Sequence, residues 1–303
     1  MTTARADRTA IPARVREEGE SALGGPGGRG RIVGAAPVGG GCIGRAARVE
    51  TAAGDVVFLK WCEPGAAPAG LFAAEAQGLE ALAAAGAVRV PAVLAVGETW
   101  LALEWLEPGR ATGASWARLG AGLAALHRCR AGRYGWPEDN FLGLLPQANA
   151  WSAGWPAFWR ERRLLPQLER ACARGWLDAA VRRRFDRLLD RLDERLAGAE
   201  AEGASLLHGD LWSGNVHVLA DGTPALVDPA PYHGHREVDL AMSELFGGFG
   251  REFYHAYDEA WPRAAGYADR RPIYQLYSLL AHVNLFGASY VGPTLRALAA
   301  AGA

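Results

Sequence analysis

At 303 residues, half of them hydrophobic, the chain is long enough to bury a large core, in two lobes rather than one. A formal net charge of -1 excludes an overall basic field for a nucleic-acid backbone, and the Arg bias among the 32 Lys and Arg, in a chain rich in Ala and Gly, reflects genome composition. Four scattered cysteines, Cys42, Cys62, Cys129 and Cys172, exclude a Cys-x-x-Cys metal site or a disulfide framework, so reduced thiols are expected. Neither the first ten residues nor any later stretch has an apolar run of signal-peptide or membrane-spanning length, so the expectation is a soluble cytoplasmic protein with no nucleic-acid or membrane partner.

Residues 1–30 read as a flexible segment, with a short helix from Ile11 to Leu23 and a glycine-rich connector from Gly24 to Gly30. From Arg31 the pattern is a β-meander: strands at Arg31 to Val38, Arg45 to Val49 and Val56 to Lys60, with a glycine cluster at the first corner. Leu71 to Ala85 has helical composition and stops at Gly86. Strands at Ala92 to Gly97 and Trp100 to Trp105 lead to Glu107-Pro-Gly109, a hinge between a small β-rich lobe, 31–107, and a larger helical lobe, 108–303. There, apolar residues recur at helical spacing over Ser115 to Arg128, Trp155 to Arg174, Leu177 to Leu196 and Arg271 to Leu298. The Arg182-Arg-Arg184 run is followed by Asp186 and Asp190, the pattern of a solvated helix face.

The stretch that interrupts these helices carries the chemistry. His208-Gly-Asp-Leu-Trp-Ser-Gly-Asn215 sets Asp210 and Asn215 at the interval of a kinase catalytic loop, and Asp228 follows where that pattern needs a Mg²⁺-binding aspartate. Val216 to Leu219 and Ala225 to Asp228 read as the hairpin between them. Moving a γ-phosphoryl group onto a hydroxyl needs a proton acceptor, here Asp210, and oxygen ligands for Mg²⁺, here the Asp228 carboxylate and the Asn215 carbonyl. Either fragment alone would pass for an ordinary turn.

Gly39-Gly40-Gly41-Cys42-Ile43-Gly44 satisfies a dinucleotide fingerprint, but strands rather than a helix follow it, and Arg45-Ala46 replaces the Lys-Ser/Thr of a phosphate-binding P-loop. A glycine loop between two strands is instead the kinase arrangement for covering ATP phosphates. Lys60, at the end of the next strand, is the expected phosphate ligand; Glu75 is its expected partner and Glu80 the competitor. The backbone of Glu104, Trp105 and Leu106 is expected against adenine.

Assembled, these segments resemble the fructosamine-3-kinase (ketosamine-3-kinase) family, relatives of aminoglycoside phosphotransferases and choline kinases. Gly39-Gly-Gly-Cys-Ile with Phe58-Leu-Lys-Trp61, Leu207 to Asn215, and Asp228-Pro-Ala-Pro-Tyr-His-Gly-His-Arg-Glu-Val-Asp through Phe249 carry the likeness, which spans about Arg31 to Val291. The resemblance implies an α+β, two-lobed, protein-kinase-like fold that transfers the ATP γ-phosphate to the 3-hydroxyl of a free or protein-bound ketosamine, whose phosphate then breaks down and frees the amine. Asp210 is then the base, Asn215 and Asp228 hold Mg²⁺, Lys60 holds phosphate, Glu75 supports it and Asp239 is structural. Trp212, His233, His235, Arg236 and Glu237 become candidates for the sugar side. A family cysteine at Cys42 implies a monomer or a redox-linked homodimer, with an inert loop cysteine the alternative. Arg45 makes the loop more basic than the family pattern. Competing readings are an aminoglycoside or amino-sugar kinase and a catalytically silent nucleotide-binding protein.

Overall fold

Strand alternation in the amino-terminal lobe decides where its one lysine points. The computed structural model describes residues 11–24, 30–39 and 44–302. It gives α1 (Ala13–Gly24), β1 (Ile32–Val38), β2 (Arg45–Thr51), β3 (Val56–Trp61), α2 (Leu71–Ala85), β4 (Val93–Val96) and β5 (Trp100–Glu104), the strands forming one antiparallel sheet in the order β1-β2-β3-β5-β4. Successive strand side chains face opposite sides. Val57, Leu59 and Trp61 therefore pack with Trp100, with Val15 of α1 and with Ile11 just before that helix. Phe58 joins Phe72, Leu79 and Leu82 of α2, so Lys60 faces the same side as α2. The α2 helix ends at Gly86, in the left-handed conformation (φ 64°), as the sequence predicts. The start of the chain and most of the glycine connector lie outside the described residues.

The second lobe contains α3 (Gly113–His127), β6 (Arg130–Ala131), β7 (Asn140–Leu142), β8 (Leu145–Gln147), α4 (Trp155–Phe158), a π-helical stretch Trp159–Leu164, α5 (Leu165–Ala173), α6 (Ala179–Asp190) and α7 (Leu192–Glu200). There follow β9 (Ala204–Leu207), β10 (Val216–Val218), β11 (Pro224–Leu226), β12 (Tyr232–Gly234), α8 (Glu237–Leu245), α9 (Arg251–Ala260), α10 (Tyr267–Phe286) and α11 (Val291–Ala300). The helix expected over Trp155 to Arg174 is divided by its π-helical stretch. Pro166, which has no N–H and crowds the preceding turn, follows two residues after its end. The expected Leu177 to Leu196 helix breaks at Arg191, and the last one breaks at Gly287, whose φ of 79° and ψ of -146° suit only glycine. Three antiparallel strands in the order β12-β9-β6, and the β7-β8 hairpin, went unread because runs of two to four residues are too short to show alternation.

The segment His235-Arg236-Glu237, expected on the sugar side, is core instead, at 0%, 1% and 0% exposure. Arg236 forks onto Glu202 (2.7 and 2.8 Å) and donates to the Trp261 and Pro262 carbonyls; His235 lies between Glu202 (3.0 Å) and the Tyr274 hydroxyl (3.0 Å); Glu237 takes a two-pronged pair from Arg270 (2.7 Å each). Their polar atoms are committed to protein, so none faces a substrate. Burial raises the cost of the Glu202 charge, but hydrogen bonds from Arg236 and His235 outweigh it and hold Glu202 at about 2, below its ordinary 4.5. A depressed carboxylate stabilises fully above its unfolded value and loses that contribution as pH falls through the folded one. Glu202→Gln is expected to cost about 3 kcal/mol near neutrality by stranding Arg236. Thermal melts should show the gap between variant and parent shrinking from about pH 4.5 toward pH 2; a constant gap would assign the effect to packing.

Candidate active site

The loop bearing Asp210 is held from behind by a buried carboxylate. β9 is buried at every position and runs into His208, whose N–H donates to Asp239 Oδ2 (2.7 Å) while the Gly209 N–H donates to Asp239 Oδ1 (3.0 Å). Asp239, on α8, also faces His127 Nε2 of α3 (3.2 Å), and His127 Nδ1 meets the Tyr257 hydroxyl of α9 (2.8 Å), so three helices converge on this turn. His208 Nδ1 accepts the Asp210 N–H (3.3 Å), which leaves Nε2 to donate to the Val227 carbonyl (3.0 Å). That is a neutral imidazole, in keeping with a pKa lowered by burial. Gly209 has φ 84°, and a Cβ there would fall 2.0 Å from the Ala230 carbonyl oxygen, so this residue must be glycine.

Asn215 closes a short 3-10 turn, Ser213–Asn215, and donates its amide to the Asp210 carbonyl (2.9 Å) and to Asp210 Oδ2 (3.1 Å). Its side-chain oxygen and Asp210 Oδ1 stay free of these bonds. Burial raises Asp210 to about 7, with the charges of Asp228 and Asp239 adding to the shift and the Asn215 hydrogen bond opposing it. Asp228 has φ 51°, alone in positive φ among the described non-glycine residues, a conformation that costs about 1–3 kcal/mol unless its surroundings impose it. Those surroundings include α2: a Cβ on Gly78 would lie 3.0 Å from Pro231 and 3.4 Å from Pro229, so the helix rests on the prolines that follow Asp228.

Across the cleft, the Lys60 ammonium meets Glu75 Oε1 and lies 2.8 Å from Asp228 Oδ1. Glu75 is thus the partner, while Glu80 points to solvent. Burial works against the Lys60 charge, but the two carboxylates prevail and raise its pKa; Lys60 in turn lowers that of Asp228. Asp228 remains half exposed toward the cleft. An ammonium, an exposed carboxylate and an amide oxygen, brought together from both lobes, can bind phosphate oxygens and a hard cation.

Glu104 closes β5, its carboxylate held by Arg89. In the backbone expected against adenine, the Leu106 carbonyl is 2.9 Å from His217 Nε2, so that carbonyl is engaged by protein. Gly39 lies at the end of β1 with open space around it; Gly40, Gly41 and Cys42 lie outside the described residues, as does the redox question attached to Cys42. Trp212 is half-buried, its ring over Gly214 in the Asp210 loop. His233 stacks between Trp136 (5.4 Å) and Trp151 (6.0 Å), and its backbone pairs with Gly135, contacts that do not bring it to Asp210.

Sequence reasoning passed over Asn140, Gln147, Asn149 and Arg163. They form a buried polar cluster whose amides reach the Ala230 and Pro231 carbonyls, directly after Asp228-Pro229. The first three sit close together in a turn-rich segment with no periodicity, and nothing in the sequence joins them to Arg163.

Comparison with known proteins agrees with this geometry. The fructosamine kinase family model matches residues 25–301. A protein of Thermus thermophilus provisionally named a ketoamine kinase is 44% identical over 234 residues, 77% of this chain and 83% of its own. The chloroplastic protein-ribulosamine 3-kinase of Oryza sativa subsp. indica is 39% identical over 266 residues, 86% and 76% of the two chains. A Thermobifida fusca crystal structure, provisionally named a fructosamine-3-kinase, superposes with a TM-score of 0.84 at 38% identity, covering 96% of this chain and 98% of its own. A macrolide 2'-phosphotransferase of Brachybacterium faecium, at 19% identity and a TM-score of 0.55, covering 90% and 93% of the two chains, shares the fold alone. Matched over nearly its whole length, with kinase-like lobes meeting at Lys60 and Asp228, the chain belongs to the fructosamine kinase family.

Proposed function

We propose that this protein is an ATP-dependent ketosamine 3-kinase, with the cleft between Lys60 and Asp210 as its active site. The observation that carries the reading is the convergence of Lys60 and Glu75 from one lobe with Asp228, Asn215 and Asp210 from the other. Family membership and ketoamine or ribulosamine kinase relatives support the choice of acceptor.

The donor set fits Mg²⁺: Asp228 offers a half-exposed carboxylate, and Asn215 a side-chain oxygen whose orientation is fixed by the bonds its amide makes to Asp210. Bound there with ATP phosphates, the cation would neutralise charge building on the transferred group. Lys60 holds phosphate oxygens, and Glu75 keeps its ammonium directed into the cleft. With the Leu106 carbonyl taken by His217, the Leu106 N–H is the group of that residue left to meet the adenine edge. Asp210 takes the proton of the acceptor 3-hydroxyl at Oδ1, the oxygen that Asn215 leaves free. A bond forms between that oxygen and the γ-phosphorus as the bond to the bridging oxygen breaks, and ADP leaves. Trp212, beside Asp210, supplies an apolar wall for the sugar.

A base at about 7 fixes the sign of the pH dependence: below that value Asp210 is protonated and cannot accept a proton. The acid limb of kcat/KM, which reports the free enzyme, is expected to bend near pH 7; a limb bending near 4 would point to an ordinary solvated carboxylate. Asp210→Asn should keep nucleotide binding and lower turnover by about 10²-fold or more. Asp228→Ala should abolish Mg²⁺-dependent turnover. ATP consumption with a ribulosamine or fructosamine of lysine, with kanamycin and with no acceptor tests the substrate class. Turnover with kanamycin alone would overturn the ketosamine reading, and ATP binding without turnover on any acceptor would overturn catalysis.

A further inference from the structure

Arg163 is a fully buried cation that no carboxylate among the described residues meets. Its guanidinium lies over the Tyr232 ring, 3.9 Å from the centroid. Nη1 donates to the Ala148 and Arg162 carbonyls (2.6 and 3.0 Å), Nη2 donates to Asn149 Oδ1 (2.7 Å), and Nε is buried without a partner among the described residues. Burying a charge this way is costly, which calls for a role beyond filling space.

The hydrogen bonds leading away from Arg163 run in one direction. A guanidinium can only donate, so it fixes Asn149 with its oxygen toward Arg163 and its amide outward. The Asn149 amide then donates to Asn140 Oδ1 (2.8 Å), which turns the Asn140 amide onto the Pro231 carbonyl (2.9 Å). Gln147 donates to the same Asn140 oxygen (2.8 Å) and to the Ala230 carbonyl (3.2 Å), while its own oxygen accepts from the Tyr277 hydroxyl (2.7 Å). Reversing any amide would oppose two acceptors or two donors in a dry interior, so the arrangement is all-or-none. It ends on two carbonyls of consequence. The Ala230 carbonyl packs on Gly209, next to Asp210, and Pro231 is the residue on which Gly78 of α2 rests, one helical turn from Glu75.

We propose that Arg163, Asn149, Asn140 and Gln147 form a polarised relay whose purpose is to position Asp228 relative to Asp210 and Glu75, making Gln147 and Arg163 positioning residues for the cation site. The proposal rests on the assignment of Asp228 to Mg²⁺ made above. It accounts for the positive φ of Asp228 being held: the carbonyls two and three residues downstream are clamped by buried amides.

The test is calorimetric titration of ADP into the full chain with and without Mg²⁺, so no turnover is required. The parent is compared with Gln147→Met, Gln147→Glu and Arg163→Met, and circular dichroism and thermal melts establish that each is folded. Mg²⁺-free ADP affinity should be unchanged, and the gain in affinity that Mg²⁺ confers should fall by about 10-fold or more, the range for residues that orient metal ligands. Gln147→Glu keeps the shape, but as a buried neutral acid it has one O–H for the two acceptors and loses one donated bond, so it too should lower the Mg²⁺ gain, and the Arg163→Met/Gln147→Met pair should be no worse than either alone. Folded variants with a lower melting temperature but an intact Mg²⁺ gain would overturn the proposal and leave the cluster merely structural. Gln147→Glu decides the matter if the methionine variants fail to fold, since it changes no volume. An intact Mg²⁺ gain in Asp228→Ala would instead overturn the cation-site assignment, whatever the relay variants do.

Discussion

The contact between Lys60 and Asp228 is the interaction on which the rest of this molecule turns. A strand in one lobe and a loop in the other are joined there by opposite charges 2.8 Å apart, with Glu75 on the same ammonium. One cation facing two carboxylates in a part-buried cleft is electrostatically incomplete, and phosphate oxygens with a divalent cation are the chemistry that would complete it. The structure around it serves to keep these groups from drifting apart. β-sheet alternation aims Lys60, α2 carries Glu75 down onto the prolines after Asp228, and Asp239 grips the turn before Asp210.

Buried polar groups divide the second lobe into two kinds of support. Around Glu202, Arg236, Glu237 and Arg270, opposite charges pair two by two, and the result ties the turn after α7 to the entry of α8, and α8 to α10. Around Arg163 there is a charge without a counter-charge, and what it meets are amides and carbonyls. The first arrangement stabilises; the second imposes direction on a string of hydrogen bonds. Arg163 sits in the π-helical stretch that comes just before Pro166.

The limits of reading the chain by pattern are visible residue by residue. His235, Arg236 and Glu237 are chemically suited to a sugar and close in sequence to Asp228, which is why they were expected in the cleft. A polar side chain carries no mark of whether its partner is a ligand or another side chain, and here every partner is protein. Glu75 and Glu80 both sit on α2, five residues apart, and the packing of Phe72 and Leu79 beside Phe58, with Gly78 against Pro229 and Pro231, selects the face that turns Glu75 toward Lys60. No described contact of the Cys42 loop bears on its chemistry.

What the amino-acid sequence determined by itself is the local chemistry: the 208–215 turn with its glycines, the interval to Asp228, the strand that ends in Lys60, and the α2 helix with its glycine stop. These depend on short-range sterics and on residue types that a given reaction requires, and both are written in consecutive residues. What only the tertiary structure decided is partnership. The Asp239 grip spans 31 residues and the Lys60 contact 168, and Arg163 reaches Pro231 through two amides, Asn149 and Asn140, in a segment without periodicity. Those pairings are set by how helices and strands pack around a shared core, a global property that no local spacing encodes.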